Sequence, residues 1–124
     1  MDENVNLSIS EEVIATLAER VIVSINGVFS LNGGIMGGIN NMLGKKVSQG
    51  IKVDINKNEI SMDVYITVEY GVKIPDIAWE IQDKVKKELE NMTGMIVTVV
   101  NVHIQGINYD RLENEDKNGG KIRE

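Results

Sequence analysis

No cysteine occurs among the 124 residues of the chain, which excludes disulfides, thiol catalysis, zinc–thiolate sites and iron–sulfur clusters. There is one histidine, His103, so no multi-histidine metal site can form within one copy. Aromatic residues make up only 4%, and the core must be built from Ile, Val, Leu and Met. Basic residues are outnumbered, 13 Lys and Arg against 19 Asp and Glu, giving a net charge of −6 and a pI near 4.8. Such a domain is repelled by phosphate backbones, which argues against nucleic acid as a partner. No apolar run approaches the ~20 residues that span a bilayer. The N-terminal MDENVNLSIS has neither a basic n-region nor an apolar h-region, so no secretory signal is read there. The expectation is a cytoplasmic protein whose membrane association, if any, is peripheral or through a partner.

What the chain does contain is strong periodicity. Val13, Ile14, Leu17, Ala18, Val21, Ile22 and Ile25 follow the i, i+3, i+4, i+7 rule of an amphipathic helix. Ser8 with Glu11 offers a capping box, and Ser10 is an alternative cap. Asn26-Gly27 is the expected C-cap. Val28 to Leu31 reads as a short strand, and Val5 to Ile9 as an optional leading strand. Ile51, Val53 and Ile55, then Ile60, Met62, Val64, Ile66 and Val68, alternate with polar residues about a turn at Asn56 to Glu59, the pattern of a one-faced hairpin. Pro75 suits the first turn of a second helix with the stripe Ile77, Ala78, Ile81, Val85, Leu89 and Met92, ended by Thr93-Gly94. Asp76, Glu80, Asp83, Glu88 and Glu90 read as its solvated face. A last strand is predicted from Met95 to Gly106. Its even positions Thr98, Val100, Val102 and Ile104 face one way, and Val97, Val99, Asn101, His103 and Gln105 the other. The sum is an α+β two-layer sandwich, with two amphipathic helices on one face of a small mixed sheet. One domain covers residues 1–108, with a glycine-rich loop at 32–50. A charged tail, 109–124, is predicted to be disordered.

The chemistry-bearing candidates are few. In LNGGIMGGINNMLGKK, Leu31 to Lys46, the glycines fit neither a Walker loop nor a Rossmann fingerprint. Five residues separate Gly38 from Gly44-Lys45, and Lys46 stands where Ser or Thr is needed. Gly34-Ile35-Met36-Gly37 matches the GxxG clamp of KH domains, but a strand precedes it where that clamp joins two helices, and neither inner residue is basic. Ile35, Met36, Ile39, Met42 and Leu43 would line one stripe of a helix, with Lys45 and Lys46 beside it, as at a partner or an anionic membrane surface. The plain alternative is a loop that tucks these side chains onto its own core. His103 could act as a general base if Asp54 or Asp63 orients it. Tyr65 shares the polar hairpin face, and Trp79, off its helix's apolar stripe, is a candidate interface anchor. No catalytic pair, cofactor site or metal site emerges.

EYGVKIPDIAWEIQDKVKKELENMTGMIVTVVNVHIQG, residues 69–106, resembles the signature half of the alkaline-shock-protein family, the envelope stress response group common in Gram-positive bacteria. YGV-x-IP and MTG-x-x-V-x-x-VNVHI are the strongest matches. ISEEVIATLAERV, NGV, the glycine-rich stretch ending in GKK, and GIKVDI agree with it, so the resemblance covers residues 8–107. It implies a small, cytoplasmic, non-enzymatic α+β protein of cell-envelope homeostasis. It also implies self-association and a membrane-anchored protein partner. Regulation of a lipid-synthesis enzyme and a KH-like RNA-binding role are the alternatives.

Overall fold

A computed structural model describes residues 7–32, 47–48 and 50–109. The elements are α1 (Glu11–Val23), β1 (Val28–Leu31), β2 (Val47–Ser48), β3 (Ile51–Asn56), β4 (Glu59–Glu69), α2 (Ile74–Thr93) and β5 (Ile96–Asn108). They form the expected α+β sandwich, with α1 packed on β1 and β3, α2 on β5, and the helices against each other.

The 11-residue β4 is the axis of the five-stranded sheet. Along one edge it pairs in parallel with β5 over its whole length. Its other edge is shared end to end by two antiparallel strands, β3 against Glu59 to Val64 and β1 against Ile66 to Val68. Tyr65 is the joint: its N–H donates to the Gly50 carbonyl at 2.8 Å, and its carbonyl accepts from Asn32 at 2.7 Å. Gly50 has φ +84°, and an added Cβ would lie 2.9 Å from both the Asn32 nitrogen and the Tyr65 oxygen. Only glycine lets the two strand ends meet there.

The hairpin alternation holds, with Ile55 near the turn only half-buried. Ile51, Val53, Ile60, Met62, Val64, Ile66 and Val68 are buried under the helices. The turn shrinks to Lys57-Asn58, with Lys57 in the left-handed region. The helices depart more from expectation. Of the two candidate caps Ser10 is used, its hydroxyl accepting from the Val13 N–H at 3.2 Å. Leu7 to Ile9 lead into it without forming a strand; Val5 lies outside the described residues. The buried face of α1 is Ile14, Ala15, Ala18 and Ile22, and Val13 is 47% exposed. The stripe is therefore rotated toward Ala15. The helix ends at Val23 on Ser24, not at Asn26-Gly27, because the Ser24 hydroxyl and N–H both bind the Val21 carbonyl. Gly94, left-handed at φ 76°, caps α2 as expected. Ile77, Ile81, Val85 and Leu89 form its buried row. Met92, 50% exposed, instead lines a groove of about 330 Å³ between the helices with Leu17 and Val21.

The simple alternation predicted for β5 is broken by two irregularities. The register passes from Ile60–Val97 to Ser61–Val99, and from Ile66–Ile104 to Thr67–Gly106. Thr98 and Gln105 are thus extra residues. The first bulge lets Val97 and Val100 both enter the core, although their spacing places them on opposite faces of a regular strand. The strand also runs on to Asn108.

No polar residue among those described is buried, so the core is held by apolar burial, roughly 1.5–3 kcal/mol for each large side chain. Ile81→Ala and Leu89→Ala should each cost about 2–5 kcal/mol in urea unfolding followed by circular dichroism. Gly50→Ala should also destabilise, because its clash is with backbone; unchanged stability would contradict the proposed joint.

Candidate functional site

The helices cover one face of the sheet. The other carries the polar halves of the alternation: Lys52 and Asp54 on β3, Ser61, Asp63, Tyr65, Thr67 and Glu69 on β4, and Asn101 and His103 on β5. The pairing sets them in rows, with Lys52, Asp63 and Asn101 in one and Tyr65 beside His103 in the next. Of the two aspartates that could have faced His103, the register selects Asp63. Asp54 pairs with Ser61, one row further away.

Asp63 Oδ1 lies 2.9 Å from His103 Nε2 and accepts from Asn101 Nδ2 at 3.2 Å. A carboxylate only accepts, so Nε2 carries the imidazole proton in this contact. The Tyr65 and His103 rings stack, centroids 4.5 Å apart and planes 12° from parallel. The Tyr65 phenol is pushed above its ordinary 10.0, first by burial and then by the negative charge of Asp63. Further along the face, the Thr67 hydroxyl donates to Asn32 Oδ1 at 2.6 Å, and Asn108 Nδ2 donates to Glu69 Oε1 at 3.2 Å. The side chains thus order one another.

Among the described residues this is an orienting pair. Asp63 fixes the His103 ring, as a base would require, but no nucleophile is within reach of it in these contacts. The cluster can offer donors, acceptors and a stacked ring face to a docking surface. No group of three potential metal ligands occurs among the described residues. Trp79 is 64% exposed, but it stands on α2, across the sheet from Tyr65 and His103. Ile35, Met36, Ile39, Met42, Leu43, Lys45 and Lys46, together with the GxxG sequence and the tail from Asp110, lie outside the described residues.

One arrangement was not legible in the sequence. Glu90 belongs to more than a solvated face: its carboxylate accepts from the Val97 N–H at 2.9 Å and pairs with Lys86 at 2.7 Å. Lys86 and Gln82 in turn donate to the Val97 and Val100 carbonyls, both at 3.1 Å. The i, i+4, i+8 spacing of Gln82, Lys86 and Glu90 was the available signal, but its meaning required the position of β5. The bonds from Lys86 and Val97 hold the Glu90 carboxyl below its ordinary range. Glu80–Lys84 and Asp83–Lys87 are exposed helix pairs, worth about 0.3–0.5 kcal/mol each.

Because the folded-state pKa of Tyr65 is raised, its contribution to stability is fully present below pH 10 and is lost as pH rises through the shifted value. An ultraviolet titration should show one tyrosine ionising late. Tyr65→Phe should remove that step, and Asp63→Asn should bring it partway down, since burial remains. A Tyr65 step at or below pH 10 would contradict the geometry.

Residues 1–109 match the family described as the ASP23 family, with cell envelope-related function. The chain is 34% identical over 105 residues to the uncharacterized protein YqhY of Bacillus subtilis, covering 84% of this chain and 78% of that one. It is 35% identical over 104 residues to YloU of the same organism, covering 82% and 87%. A stress response regulator gls24 homolog of Streptococcus pyogenes is 27% identical over 103 residues, 82% of this chain and 58% of the relative. No solved structure matches. Among the described residues no helix is long and apolar enough to cross a membrane.

Proposed function

The chain belongs to the alkaline-shock-protein family, whose function is cell envelope-related, and from that premise we propose that it is a non-enzymatic interaction protein of the envelope stress response. In this reading it self-associates and binds protein partners at the cytoplasmic side of the membrane, reaching the membrane through a membrane-anchored partner. The observation that carries the reading is the sheet face that the described helices leave uncovered. Asp63, Asn101, His103 and Tyr65 are held there by mutual bonds and stacking. Side chains already ordered lose little rotamer freedom on docking, which lowers the cost of binding. A polar face of this kind suits reversible association better than obligate burial. The name of the streptococcal relative, a stress response regulator, is in keeping with a protein that acts through contacts.

Two measurements test this. Light scattering across a concentration series should show multimers forming as the protein is concentrated. Affinity capture from native membranes should recover a membrane-anchored protein, with recovery falling at least tenfold for a Tyr65→Ala, His103→Ala double variant whose circular dichroism is unchanged. A monomer at every concentration would remove self-association. Capture indifferent to the double variant would remove the sheet face as the docking surface.

A further inference from the structure

Among the described residues β5 is an edge strand, paired with β4 on one side only. Its outer edge is unevenly protected. At its start, α2 caps it: Glu90 takes the Val97 N–H, and Lys86 and Gln82 take the carbonyls of Val97 and Val100. The described cap ends at Val100. Between the two bulges the alternation of the strand turns the main-chain groups of Val102 and Ile104 the same way as the Val100 carbonyl. Trp79 lies three residues before Gln82, and so on the same side of α2 as the capping row. An exposed indole therefore follows the polar caps in that row.

Composition points the same way. Edge strands are usually guarded by Lys, Pro or inward-pointing charge. From Ile96 to Asn108 there is no Asp, Glu, Lys, Arg or Pro. In a chain of net charge −6 two copies repel across most of their surface, and β5 is a strand along which they can meet without opposed like charges. A basic partner would gain nothing from this edge, because the strand offers it no carboxylate.

We infer that the part of β5 beyond the described cap, centred on the outward main-chain groups of Val102 and Ile104, pairs antiparallel with the same strand of a second copy, joining two sheets into one, with Trp79 of each copy flanking the seam. The inference rests on the self-association proposed above and assigns it a surface separate from the Asp63–His103 face. The two-fold operation makes the contact self-complementary and brings the two α2 helices together on one side of the joined sheet.

The test uses the full chain in three forms: Gln105→Lys, which adds a guarding charge at the second bulge, Trp79→Ala, and His103→Ala as the face control. Light scattering over a concentration series should show Gln105→Lys and Trp79→Ala weakening dimer formation at least tenfold, with His103→Ala close to wild type. A single-cysteine reporter at Gln105, clean in a chain without cysteine, should form a disulfide dimer under oxidation. Dimers weakened only by His103→Ala would overturn the edge pairing while leaving self-association standing. A wild-type monomer at every concentration would overturn both. A monomer whose capture of a different protein is lost in Gln105→Lys would give the edge to that partner and overturn the second copy as its occupant.

Discussion

The structure depends on β4 having three strands bonded to its two edges. A strand of 11 residues is long enough for β3 and β1 to share one edge while β5 takes the whole of the other. The Tyr65 main chain closes the junction between the two short partners, and Gly50 is the residue that allows it. Side-chain alternation along that strand then sorts everything else. One parity builds the apolar floor beneath the helices, and the other builds the polar face where Asp63, Tyr65 and Thr67 find partners. Core and candidate site are the two sides of one strand, so a register slip of one residue would exchange them.

Much of this could be read from the sequence, and the misses share a cause. The strict alternation of Ile60 to Val68 specified a one-faced strand because it leaves no second reading. In β5 valines occupy both parities, as in Val97, Val99, Val100 and Val102, so the bulges at Thr98 and Gln105 left no trace in the pattern. In α1 the small Ala15 faces the core and the larger Val13 faces solvent, which reverses a ranking by hydrophobicity. The Asp63–His103 contact joins residues 40 apart in sequence, and which aspartate it used depended on the parallel pairing of β4 with β5. The capping of β5 by Gln82, Lys86 and Glu90 was hidden for the same reason, since side chains that satisfy a distant edge look like ordinary solvated residues until the edge is placed.

The family's description is cell envelope-related, and the function proposed within it is exerted through contact at two surfaces. The two surfaces differ in kind. The Asp63–His103 face is polar, ordered and suited to side-chain recognition. The β5 edge is uncharged and offers main-chain hydrogen bonding, the basis of strand addition. Separating the surfaces would let one copy join its neighbours while keeping a recognition face free for a different protein.

The most direct test of this account is amide hydrogen exchange on the full chain, compared between dilute and concentrated solution. Pairing of β5 edges predicts added protection at the Val102 and Ile104 amides on concentration, with α1 unchanged. Protection gained on α1 instead, or none anywhere while multimers form, would contradict it.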